Sequence, residues 1–264
     1  EIAKIKWLSG DIADTQALAD AVKNNGIRAI VHLAALQVPF CATDPIAGAK
    51  VNVVGTVNIF EAARQNNLSR LVYASSVAAH GALHESKYLA TLYGAYKLCD
   101  ENIAKVYYQD WNVPSICIRP GIVYGVGRDQ GMTSKTTVAT LAAAANTEYT
   151  IPFSGPTSAL HAGEVAAAFI KSISKERDEA QVFDMNGVYT TVEEWVKILY
   201  KIQPTAQIKI TGKAIPLPFH LSDEPLRNYI GRYETIGLEF GIEQTFNAFK
   251  ELLSQGKISA ENLN

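Results

Sequence analysis

The sequence predicts an α/β protein built on a parallel sheet with crossover helices, and three observations predict it. Short β-rich runs alternate with helical stretches through the first half of the chain. One run, Ala29-Ile-Val-His-Leu33, is nearly all apolar, as a strand buried on both faces should be. Polar groups suited to a ligand recur just past the ends of successive runs, which is where open α/β sheets bind.

The elements follow in order. Ile5-Lys-Trp-Leu8 reads as a strand, followed by Gly10-Asp11 and a helix over about 14–25 that stops at Asn24-Asn-Gly26. After the strand at Ala29–Leu33, a helical pattern over about 47–65 places Val51, Val54, Ile59 and Ala62 on its inner face. Leu71-Val-Tyr-Ala74 is the next strand and ends in Ser75-Ser76. The helix bearing Tyr93 runs to about Tyr108, and Ser115-Ile-Cys-Ile118 is a further strand. From Arg119 the texture changes, because Pro120, Gly121, Gly125, Gly127 and Gly131 mark a loop-rich segment. Helices near 134–145, 163–173, 191–201 and 243–254 follow, with strands near 150–153, 181–185 and 207–210. The chain thus divides into residues 1–120 and a smaller mixed lobe, 121–264, some of whose elements return to the main sheet.

Composition narrows the function. The 264 residues are 48% hydrophobic and 19% charged, enough for a sizeable core and one or two domains. A net charge of −2 argues against a nucleic-acid or polybasic membrane surface. No apolar run approaches the roughly 20 residues that span a bilayer, and the opening Glu1-Ile-Ala-Lys4 has no signal-peptide pattern. Cys41, Cys99 and Cys117 are scattered and odd in number, which favours a reducing compartment and a cytoplasmic location. The five histidines show no spacing that suggests a metal.

Chemistry is concentrated in Tyr93-Gly-Ala-Tyr-Lys97. Residues four apart share a helix face, and an ammonium beside a phenol favours the phenolate. Such a pair suits moving a proton on or off an alcohol oxygen. Chance is the competing reading: with twelve tyrosines, roughly 0.7 such spacings arise at random.

The setting tips the balance. Gly10-Asp11-Ile12, His32-Leu-Ala-Ala35, Asn52-Val-Val-Gly-Thr56, Tyr73-Ala-Ser-Ser76, Tyr93-x-x-x-Lys97 and Arg119-Pro-Gly-Ile-Val-Tyr-Gly125, in this order, resemble the extended short-chain dehydrogenase/reductase family, also called the NAD-dependent epimerase/dehydratase family. The resemblance covers nearly the whole chain. It implies a Rossmann-type doubly wound parallel sheet with a smaller mixed α/β C-terminal substrate lobe. It also implies hydride transfer with NAD, or NADP, at a secondary hydroxyl of a sugar or sugar nucleotide.

By this resemblance Tyr93 is the general acid/base, Lys97 supports it and holds the nicotinamide ribose, and Ser76 hydrogen-bonds the reacting oxygen. Ser75 is its neighbour in the substrate pocket. Asp11 and Ile12 flank adenine, while Leu33, Ala34 and Ala35 form the strand end where the backbone approaches the cofactor. Asn52 buttresses the site, and dimerisation through the tyrosine-bearing helix is implied too. Plainer readings stand beside these. Asp11 caps the helix near residue 14, Ala34-Ala35 is close packing, and Ser75-Ser76 closes a strand. Arg128 either binds phosphate or carboxylate in bidentate fashion or pairs with a surface carboxylate, and His161 reads as structural.

Three departures from the family pattern matter. The family opens on a strand, a Gly-x-x-Gly-x-x-Gly turn and a helix, and this sequence has no such motif. A piece of roughly 30 residues is therefore expected ahead of Glu1. The stretch from Gly81 to Leu92 is short for a nucleotide-sugar member, and Gly163-Glu164 replaces the usual acidic pair. The resulting alternatives are an epimerase that re-reduces a bound ketone, a plain dehydrogenase of a small polyol, sugar acid or hydroxy acid, and a non-catalytic dinucleotide-binding protein.

Overall fold

The computed structural model describes residues 5–81 and 91–261; the shortened stretch before Leu92 lies largely outside them. In chain order the strands are β1 (Ile30–His32), β2 (Leu71–Ala74), β3 (Ser115–Pro120), β4 (Val123–Tyr124), β5 (Tyr149–Ile151), β6 (Pro156–His161), β7 (Ala180–Met185), β8 (Val188–Thr191) and β9 (Ile208–Ile210). The helices are α1 (Thr15–Asn24), α2 (Val38–Thr43), α3 (Pro45–Ala49), α4 (Gly55–Gln65), α5 (Leu92–Trp111), α6 (Lys135–Ala145), α7 (Ala162–Ile173), α8 (Val192–Ile202), α9 (Glu224–Ile230) and α10 (Leu238–Ser254).

The main sheet is parallel throughout, in the order β1-β2-β3-β7. Its centre is dry, with Val72, Ile116, Cys117 and Ile118 almost fully buried. This double-sided burial is why β2 and β3 read as continuous apolar runs rather than alternating ones. Phe60, Tyr73 and Tyr107 pack under one face, where α4 and α5 cover the sheet. Helix α7 covers the other through Ala168 and Phe169. Strand β7, from the second half of the chain, closes the described sheet against β3.

The second half forms a three-stranded sheet, β4-β6-β8, and a parallel pair, β5-β9. Around them α6, α8 and α10 enclose a core of Trp195, Leu199, Ile151 and Ile242. The Trp195 indole N–H donates to Thr140 Oγ1 at 3.2 Å, which satisfies that ring's polar atom in the core.

Two expectations are corrected. Ile5–Leu8 is not a strand: it pairs with no strand among the described residues, and Ile5, Trp7 and Leu8 are exposed. An apolar run becomes a strand only when a neighbour takes its backbone N–H and C=O groups. The helix expected over 47–65 is instead α3, a π-helical turn at Lys50–Val54, and α4. Asp44 caps α3 through Ala47 N–H, with Pro45 in its first turn. The extra residue of the π turn rotates the buried face, so Val54 points outward and Asn52, Gly55 and Thr56 turn in.

Candidate active site

A cleft of about 480 Å³ opens at the carboxyl ends of β1, β2 and β3 and is closed from the far side by Ile215-Pro216-Leu217. Its floor is built by local sequence choices. After β2 the chain takes a 3₁₀ turn, Val77–His80, and Ser76 caps it by accepting the Ala78 N–H at 3.2 Å. Helix α5 starts at Thr91, whose hydroxyl accepts the Gly94 N–H at 3.1 Å. Gly94 lies so close to the 3₁₀ turn that a Cβ there would fall 2.5 Å from Ala78 O. The missing side chain lets α5 press its first turn onto the serine turn, bringing Tyr93 and Lys97 to the same cleft as Ser75 and Ser76.

Lys97 is 2% exposed. Its ammonium donates to Ala74 O at 2.8 Å, lies 3.5 Å from Asp100 Oδ2 and sits 5.9 Å from the Tyr93 ring centroid. Asp100 is fully buried, and neither of its carboxylate oxygens accepts a hydrogen bond from the described protein. Burial pushes it up to about 7, since one ammonium at this distance only partly offsets desolvation. Thr56 is adjacent but its hydroxyl proton goes to Asn52 O at 2.6 Å, leaving a lone pair for His32 Nε2 at 3.1 Å. Burial, then the Lys97 charge, pushes His32 down to about 4, so it is neutral.

Ser75 lines the cleft, yet its hydroxyl turns away and donates to Glu101 Oε1 at 2.5 Å. Glu101 is clamped by Arg119, through Nε at 2.7 Å and Nη2 at 2.5 Å. Arg119 Nη1 reaches His80 Nε2 at 3.1 Å, and His80 meets Asp184 at 2.7 Å. This chain ties β2, α5, β3 and β7 together beneath the site. Glu101 lies one helical turn past Lys97, a signal visible in the sequence but not read there; Gln37 and the 215–217 wall have no local signal at all.

Asn52 holds the loop after β1 as a backbone mimic: its Oδ1 accepts Leu36 N–H at 2.7 Å and its Nδ2 donates to Leu36 O at 3.0 Å. Leu33 and Ala35 line the cleft, whereas Ala34 lies exposed beside it. The cap of α1 is Asp14, not Asp11; Asp11 accepts Ala13 N–H at 2.9 Å and is exposed. Ile12 packs on Gly55, and its carbonyl accepts Asn58 Nδ2 at 3.0 Å.

Arg128 also enters the cleft. Its Nη1 donates to Gln37 Oε1 at 2.9 Å and to Gln130 O, and its Nη2 to Thr133 Oγ1 at 3.3 Å. His161 lies apart, capping α7 through Gly163 N–H and standing edge-on to Tyr124. Buried Glu164 accepts Ile236 N–H at 2.8 Å. Among the described residues no group of three or more His, Cys, Asp or Glu side chains is placed to hold a metal, and no helix is long and apolar enough to cross a membrane.

The model of the NAD dependent epimerase/dehydratase family matches the chain over residues 1–186. The chain belongs to that family. It is similar to a putative UDP-glucose 4-epimerase of Methanocaldococcus jannaschii, 28% identical over 138 residues, 48% of this chain and 44% of the relative. It is also similar to the uronate dehydrogenase of Agrobacterium fabrum, 30% identical over 119 residues, 42% of this chain and 43% of the relative. The chain spans less than half the length of these curated relatives. In fold it matches the Thermus thermophilus UDP-glucose 4-epimerase solved in complex with NAD, with a TM-score of 0.78, 21% identity, and coverage of 91% of this chain and 83% of that one. The Rossmann-type α/β architecture implied by the sequence is thus the fold of the family.

Proposed function

We propose that this protein is an NAD-dependent oxidoreductase that removes hydride from a secondary hydroxyl of a sugar-type substrate, with Tyr93 as acid/base. The observation that carries the reading is the convergence of Ser76, Tyr93 and buried Lys97 on one cleft at the strand ends.

The donor set suits the nicotinamide end of the cofactor. Lys97 spends one bond on Ala74 O and keeps donors for ribose hydroxyls, while Leu33 and Ala35 supply the apolar floor. Asp11, Ile12 and Ala34, which do not line the cleft, are assigned to the adenine end by the family resemblance alone. NAD, when bound, would supply the hydride acceptor. Tyr93 Oη, as the phenolate, would take the proton of the substrate hydroxyl as its carbon gives up hydride and becomes a carbonyl. Ser76 Oγ already accepts Ala78 N–H, so its own proton is free to bond the reacting oxygen. Ser75 acts through Glu101 and Arg119 as a positioning residue, holding β2 against α5.

Two product outcomes remain within this reading. In an epimerase the ketone stays bound and is re-reduced on its other face; in a dehydrogenase it leaves and reduced cofactor accumulates. Net NADH release eliminates the first, and a stereo-inverted product without it eliminates the second. A homodimer through α5 and the helices beside it is supported by the exposed apolar Val106 on α5 and by exposed Ile46 and Val54 in the helical segments of residues 45–54. The three free cysteines support a cytoplasmic setting.

A further inference from the structure

We infer that Arg128 is the anchor for a carboxylate, so that the cleft takes a small hydroxy acid or sugar acid rather than a nucleotide sugar. The inference rests on the oxidoreductase reading for its second half only; the anion site stands on its own geometry.

No carboxylate among the described residues lies within ion-pair distance of Arg128, in contrast to Arg119, which is paired with Glu101 and Asp184. A guanidinium turned into a cleft is stabilised when an anion supplies the missing charge. The site is also built around it. Gln37 Oε1 and Gln130 O take the Nη1 protons and Thr133 takes one from Nη2. That leaves the Nε edge and the remaining Nη2 proton, the fork that matches two carboxylate oxygens. Gly131 has a φ of +96°, and a Cβ there would fall 2.0 Å from Gln37 Oε1 and 3.1 Å from Arg128 Nη1. Glycine therefore lets the 129–133 loop wrap the guanidinium without dislodging Gln37.

Charge and reach then choose the ligand. The described lining offers two cationic side chains, and Lys97 is already engaged with Ala74 O and Asp100. Among the described lining residues Arg128 is the one cation with no carboxylate within ion-pair distance, and its single open fork matches the two oxygens of one carboxylate. Arg128 and Tyr93 line the same cleft. A carboxylate on Arg128 and a hydroxyl at Tyr93 can therefore belong to one small molecule held in that cleft of about 480 Å³.

The test compares wild type, Arg128→Gln and Arg128→Lys, each checked for native circular dichroism. With NAD present, D-glucuronate, D-galacturonate and D-gluconate are measured against D-glucose, D-galactose and UDP-glucose, by cofactor reduction and by calorimetric binding. The acids are expected to bind, with KM or Kd raised on the order of 10²-fold in Arg128→Gln and partly restored in Arg128→Lys. Discrimination against the neutral sugars should vanish in Arg128→Gln. Preference for UDP-glucose, failure of every acid to bind, or acid affinity unchanged by Arg128→Gln would overturn the inference. Acid binding that depends on Arg128 but yields no reduced cofactor would instead sink the oxidoreductase reading and leave the anion site standing.

Discussion

At the scale of single residues, the site separates groups that face the substrate from groups that hold them. Tyr93→Phe removes only the phenol oxygen. Turnover is expected to fall by about 10²–10⁴-fold, with NAD affinity measured by calorimetry retained; unchanged turnover would remove Tyr93 from the mechanism. Behind it, two buried groups titrate in opposition. Asp100 is raised from 3.8 to about 7, so the native state binds more protons than the unfolded chain and stability falls as pH rises through that window. His32 is lowered from 6.5 to about 4, so its contribution is present above 6.5 and lost as pH falls towards 4. Between about pH 4 and 6.5 the two slopes oppose each other in the native protein. Asp100→Asn should therefore uncover a stability that rises with pH, approaching about 1.4 kcal/mol per pH unit, and His32→Gln one that falls. Urea melts at several pH values measure both; a pH slope unaltered by either substitution would refute the assignment. Tyr93 and Lys97 were legible from spacing, but Asp100 and His32 were not. Their roles come from burial, which depends on packing between β1, α4 and α5, elements distant in sequence.

At the scale of elements, the junction between the Ser76 turn and the first turn of α5 fixes the geometry of the pair. Gly94→Ala puts a Cβ against the backbone carbonyl of Ala78, so the helix must move. A loss of about 1–3 kcal/mol is expected, with kcat reduced more than NAD affinity; activity and stability at wild-type levels would show that the close approach is unimportant. Thr91→Ala removes the cap of the same helix and should cost about 1 kcal/mol in a urea melt. The central strands were readable because burial on both faces leaves a plain apolar run. Strands β4, β6 and β8 were missed: Pro156-Thr-Ser-Ala-Leu-His161 carries neither alternation nor a β-branched run, and its pairing with β8 is decided by chain segments about 30 residues apart. The π turn at Lys50–Val54 was equally hidden, because a 3.6-residue period cannot register one inserted residue.

At the scale of the whole molecule, the sheet and the second lobe meet at the cleft, and each contributes what the other lacks. The sheet supplies Ser76, Tyr93 and Lys97; the later chain supplies Arg128, Thr133 and the 215–217 wall. Order along the sequence made the family recognisable, since its motifs lie at successive strand ends. The cleft lining from the later chain was less legible because it converges from segments with no shared pattern. If α5 and its neighbours form a dimer face, light scattering should report twice the protomer mass, and Val106→Asp should shift it to one; a monomer at all concentrations would contradict the dimer. The most direct measurement of the central claim is the appearance of reduced nicotinamide when wild type and Tyr93→Phe are mixed with NAD and the sugar and sugar-acid panel. Formation of NADH, or of an inverted sugar product, by wild type alone is the predicted result. Equal reaction by both proteins, or none by wild type that binds NAD, would contradict it.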